Sequence, residues 1–147
     1  MQRTIADSHT LHHGTVEKSD LNGYGLMHGG RLLTLCDEVG YLAAKKHSGL
    51  DCLTRAAHDI HFIAAMREGD GYSVEAEVVL AGKTTLWVDC RVLHDGKSVM
   101  NAVFVYIAVD AAFRSIPVPE VVAVSEEEKA QQARMIRLRD RVMAGNS

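Results

Sequence analysis

One run of this 147-residue chain limits its fold more than any other: GGRLLTLCDEVGYLAAKKH, residues 29–47. It holds leucines and alanines, basic residues in its last turns, and Gly49 as a stop. Its apolar residues fall on most faces, and a helix apolar nearly all round must be buried. The later segments are strand patterns. YSVEAEVVLA (72–81) sets Val74, Ala76 and Val78 against Ser73, Glu75 and Glu77. TTLWVDCRVLH (84–94) sets Leu86, Val88, Cys90 and Val92 against Trp87, Asp89 and Arg91. Such alternation marks strands with one buried face. DGKS (95–98) is a hairpin turn signal, and VMNAVFVYIAVD (99–110) is a long β-branched and aromatic strand. LTRAAHDIHFIAA (53–65) is mixed, a first strand lies near HHGTVEK, and residues 19–28 are loop because Asn22, Gly23 and Gly25 break the period.

The expected class is therefore α+β, with a curled antiparallel sheet wrapped around one long central helix. One helix cannot cover both faces of such a sheet, and the strand edges stay open, so pairing with a second subunit is expected. From Ser125 a second helix begins with a capping-box pattern to Glu128. Glu126–Glu128 at its start and Arg134, Arg137, Arg139 and Arg141 toward its end suit the helix dipole. The expected division is a domain over 1–124 and a charged, peripheral C-terminal helix over 125–147, its charges a solvated face.

The formal net charge is −3, so no global basic field attracts nucleic acid. Cys36, Cys52 and Cys90 are odd in number and lack CxxC spacing, which argues against a disulfide framework and suits a reducing compartment. No signal-peptide core and no membrane-length apolar run is read, so a cytoplasmic protein is expected. The eight histidines offer no matched ligand set, and His58 and His61, three apart in a strand, are expected on opposite faces; no metal is expected. The oddity is Asp37, beside Glu38 in the apolar helix. A carboxylate is costly to bury without partners.

Asp20, Asn22 and Gly25, then His28-Gly29-Gly30, then LCDEVGYLAAKKH (35–47), resemble the hotdog-fold acyl-CoA thioesterases. The similar branch holds the small bacterial acyl-CoA thioester hydrolases and the cytosolic acyl-CoA hydrolases. AGKTT (81–85) sits where that branch has a Gly-Arg/Lys-Ser/Thr-Ser turn, and VFVYIAVD with RSIPVP resembles its last strand and the segment after it. The resemblance spans roughly residues 15–119. Two departures stand out: Ala64-Ala65 replace the usual Lys-Pro after HDIHF, and AAFRS lacks the usual glycine before Arg114.

The resemblance implies thioester hydrolysis, releasing a carboxylic acid and CoA, with no cofactor beyond the CoA of the substrate. Asp37 would act as general base or as nucleophile. Asn22, from the partner chain, would position the water or the carbonyl. Gly29 and Gly30 expose backbone N–H groups at a helix start, and the Gly30 N–H is the expected oxyanion donor. His28 could be a wall of the site. Gly82, Lys83, Thr84 and Thr85 would hold CoA phosphates, with help from Arg114. Gly30 and Asp37 lie on one helix face, roughly 10 Å apart along the axis. One chain's Asp37 is therefore poorly placed for its own Gly30, and a two-fold mate could bring its own opposite. A homodimer, or a hexamer built as three dimers, is the expected assembly. A non-catalytic acyl-CoA-binding protein and a hotdog hydratase or dehydratase are the competing readings. The first lacks room for an effector module, and the second lacks a recognisable His–acid motif.

Overall fold

The computed structural model describes residues 1–145. The expected C-terminal helix of 125–147 thus has its last two positions outside the described residues. The elements run β1 (Gln2–Thr4), α1 (Ile5–Ser8), β2 (Thr10–Thr15), α2 (Gly29–Ser48), β3 (Asp51–Phe62), β4 (Gly71–Ala81), β5 (Thr85–His94), β6 (Lys97–Val109), β7 (Glu120–Val122) and α3 (Glu126–Gly145). A five-stranded sheet has the order β2-β4-β5-β6-β3, every pair antiparallel. β1 and β7 form a separate parallel pair. The α+β layout read from the sequence is the one observed.

α2 begins where the His28 ring caps the Gly30 N–H and ends at Gly49, which takes the left-handed conformation with φ 71°. Leu32, Leu35, Cys36, Val39, Ala43 and Ala44 on this helix are buried against the inner face of the sheet. That face carries the alternating residues of β4 and β5 expected from the pattern, together with Phe104 and Tyr106 of β6. Helix and sheet come so close at Gly40 that an added Cβ would stand 2.5 Å from the Tyr106 hydroxyl. The β5–β6 hairpin closes on Asp95 and Gly96, both at positive φ, as a two-residue turn requires.

The outer face is not left bare. Ile5, Val79, Leu80, Trp87, Val103 and Val105 form a second core with Met135 and Leu138 of α3. α3 is thus more than a solvated charged face. It is pinned by Gln131, which donates to Glu77 and Asp89, and by Gln132, which donates to the carbonyls of Val79 and Val121.

β3 is an edge strand with two register shifts, one between Thr54 and Ala56 and one between His58 and His61. In the first, Arg55 is an extra residue; in the second, Asp59 and Ile60 stand opposite the single residue Ala102, again one extra. Asp59 holds φ at 49° there. The second shift corrects an expectation: His58 stacks on Trp87 and His61 lines a cavity with Asp89 and Gln131, so both lie on the outer face. A regular strand would separate them; the one extra residue between them cancels the alternation.

Candidate active site

Asp37 sits on α2 at the point where β6 and β3 pass over the helix. Its Oδ1 accepts from the Thr54 hydroxyl at 2.8 Å and from the Tyr106 hydroxyl at 3.0 Å. Tyr106 Oη also lies 2.8 Å from the Asp37 carbonyl oxygen. Its other carboxylate oxygen, Oδ2, has no partner among the described residues. Burial pushes the Tyr106 phenol far above its usual range, and the charges near it push the same way, so it stays a protonated donor. Asp37 lines a shallow cleft with Glu38, Tyr41, Leu42 and Thr54, in which Leu42 is about half exposed. Glu38 faces solvent.

The thiols beside this carboxylate are poor nucleophiles. Burial, aided by the Asp37 charge, pushes Cys36 up to about 12. Burial also raises Cys90 well above the ordinary thiol range. Both remain thiols near neutrality.

The start of α2 forms a second cleft. Asn22, Leu26, Gly29, Leu32, Phe62 and Ile63 are among the residues that line it. Asn22 Oδ1 accepts from the N–H groups of Tyr24 and Leu26, at 2.8 and 3.2 Å. Its amide NH2 makes no hydrogen bond to another described residue. The Gly30 N–H, the expected oxyanion donor, already donates to His28 Nδ1 at 2.9 Å. The Gly29 N–H has no acceptor among the described residues. A Cβ on Gly29 would stand 3.3 Å from the Phe62 ring, so glycine there lets the ring lie against the helix start. Within one chain, Asp37 lines one cleft and Asn22 and Gly29 line another; Gly30 and His28 are not among the lining residues of either.

Gly82, Lys83, Thr84 and Thr85 come together on a third cleft, on the outer face beside α3. Arg114 is not among the residues lining it. It is tied to Asp110 at 3.1 Å in a turn where Asp110 also accepts the N–H groups of Ala112 and Arg114. The structure adds three polar residues to those singled out in the sequence. Thr54 and Tyr106 hold Asp37, and Arg55 stands in the Lys83 cleft. Nothing local marks them, because each acts across a strand–helix or strand–turn contact. Among the described residues no three His, Cys, Asp or Glu side chains form a group suited to a metal ion. Among the described residues no helix is long and apolar enough to cross a membrane either.

A model of the Thioesterase superfamily matches residues 24–100, which includes α2, Asp37, Thr54 and the Gly82–Thr85 turn. An uncharacterised acyl-CoA thioester hydrolase of Zymomonas mobilis is 30% identical over 107 residues, covering 69% of this chain and 72% of that protein. The human cytosolic acyl coenzyme A thioester hydrolase is 27% identical over 124 residues, covering 78% of this chain; the chain spans only 32% of the length of that relative. A solved structure of a hexameric acyl-CoA thioesterase, without ligand, superposes with a TM-score of 0.91 at 25% identity, over 99% of this chain and 96% of that one. The element order and the helix-wrapping sheet are those of the hotdog fold. With just over half its length matched by the family model and that 30% identical relative beside it, the chain belongs to the Thioesterase superfamily.

Proposed function

We propose that this protein hydrolyses acyl-CoA thioesters to a free carboxylic acid and CoA. The observation that carries the reading is the Asp37 carboxylate, with Oδ1 fixed by Thr54 and Tyr106 and Oδ2 left open. A carboxylate with one oxygen tied down presents the other in a fixed direction. As a base, Oδ2 takes a proton from water while the water oxygen adds to the thioester carbonyl carbon. The intermediate then collapses, expels the CoA sulfur, and the proton goes to that thiolate. As a nucleophile, Oδ2 adds directly, expels the thiolate and leaves a mixed anhydride, which water cleaves.

The oxyanion needs backbone donors at a helix start. The Gly29 N–H is unengaged, and the Gly30 N–H becomes free when the His28 ring turns away from it. The substrate would lie between the start of α2 from one protomer and Asp37 from its partner. The separation of the two clefts in one chain supports this, as does the apolar edge of β3, where Leu53, Ile60, Phe62 and Ile63 are exposed. An open strand edge with exposed apolar side chains is a pairing surface. Asn22 contributes its free amide NH2 to the water or the carbonyl. Lys83, with Thr84 and Thr85, takes the CoA diphosphate. Release of thiol from a panel of acyl-CoAs, read with a thiol reagent, tests the reading. Absence of release across short, long and aromatic acyl groups would overturn it.

A further inference from the structure

The Lys83 cleft is larger than a four-residue phosphate turn needs. It encloses about 720 Å3 and is walled on one side by α3. Three cations converge on it from different elements: Arg55 from β3, Lys83 from the β4–β5 turn and Arg139 from α3. No acidic residue lines it among those described. Arg55 and Lys83 have no ion-pair partner among the described residues, and Arg139 meets only the exposed neighbour Asp140, at 3.5 Å. The floor is apolar, with Trp87, Val105 and Val142. In a chain of net charge −3 this is a local concentration of positive charge, with no acidic residue in the cleft lining to offset it.

Two structural features hold the cations there. The extra residue in β3 breaks the strand's alternation at Arg55. Thr54 reaches the inner face to bond Asp37, Arg55 and Ala56 both line the outer cleft, and Ala57 returns to the inner core. One strand segment therefore serves the reacting end on one side of the sheet and the cleft on the other. The second feature is the pinning of α3 by Gln131 and Gln132, which fixes where Arg139 stands.

We infer that Arg55 and Arg139 form the site for the ribose 3′-phosphate of the CoA nucleotide, so that α3 is part of the substrate site. This rests on the acyl-CoA reading above. Guanidinium groups match a phosphate monoester, which presents three oxygens and close to two charges and can be held in bidentate fashion. Lys83 and the two threonine hydroxyls suit the diphosphate. The apolar floor suits the adenosine body more than a bare anion.

The experiment compares CoA with 3′-dephospho-CoA on the full chain. Dissociation constants are measured by titration calorimetry for wild type, Arg55→Gln and Arg139→Gln. Wild type is expected to bind CoA about tenfold more tightly than 3′-dephospho-CoA, the effect of a charge-assisted hydrogen-bond pair. Each substitution should remove most of that preference while the affinity for 3′-dephospho-CoA stays as in wild type, which also shows that the variant is folded. Equal binding of the two ligands by wild type, binding of neither, or parallel loss of both in the variants would overturn the inference. Thiol release is assayed on the same preparations. A phosphate-dependent preference without any thioester turnover overturns the hydrolase reading alone. Turnover without the preference overturns this inference alone.

Discussion

The Tyr106 hydroxyl stands 3.0 Å from Oδ1 and 2.8 Å from the backbone carbonyl oxygen of Asp37, joining the C-terminal part of β6 to the middle of α2. The tyrosine is fully buried and Asp37 is only partly so. The contact fixes both the helix against the sheet and the carboxylate within the cleft. Tyr106→Phe removes only the hydroxyl. Stability should fall by about 1 kcal/mol, the net worth of a typical hydrogen bond. Turnover should fall further than that loss explains, because Oδ1 keeps only Thr54. Thermal melts and steady-state kinetics on the same variant separate the two. Unchanged kcat would show that Thr54 alone orients the carboxylate.

Asp37→Asn keeps the shape and the two hydrogen bonds to Oδ1 while removing the charge. Hydrolysis should drop by roughly two to four orders of magnitude, the span associated with losing a general base. The melting temperature should stay near that of wild type. Near-normal turnover would remove Asp37 from the chemistry.

The shared site is tested by mixing two dead variants. Asn22→Ala and Asp37→Ala are prepared separately, shown to be inactive, unfolded together in equal amounts and refolded. If each site draws Asn22 from one chain and Asp37 from the other, a mixed dimer holds one site with both defects and one with neither. About half of the dimers are mixed, so about a quarter of wild-type activity should return. Mixed dimers confirmed by mass and still inactive would place both residues of a site in one chain.

His47 gives a stability prediction. Its ring is fully buried, Nε2 bonds the Pro119 carbonyl oxygen at 2.8 Å, and Nδ1 is unpartnered. Burial lowers its pKa below the ordinary 6.5, and the Arg3 charge acts the same way, against the opposing pull of the Pro119 carbonyl and Asp7. A group with a lowered cationic pKa is protonated first in the unfolded chain. Its stabilisation is present in full above about pH 6.5 and is lost as the pH falls below that value. The melting temperature of wild type should decline on acidification in this window, and that of His47→Gln should decline less. Parallel curves would exclude His47 as the cause.

Much of this protein was legible as local pattern. The buried helix over 29–47, the alternation in β4 and β5 and the Asp-Gly hairpin depend on residues close in sequence. Periods of 3.6 and 2 survive in a single chain because each follows from its own backbone geometry. Asp37 was conspicuous for a similar reason, as a charge in an apolar run. The tertiary structure alone decided what surrounds it. Thr54 and Tyr106 lie 17 and 69 residues away in sequence and meet Asp37 only when β3 and β6 close over α2. The extra residues in β3 leave no signature in the pattern, yet they put Arg55, His58 and His61 on the outer face. α3 read as a solvated charged helix because two buried side chains, Met135 and Leu138, make too narrow an apolar stripe to stand out. Its place became fixed only when the outer face of the sheet offered Trp87 and Val105 to cover. Such contacts are set by the shape of surfaces distant in the chain, and no short stretch of sequence contains both halves of them.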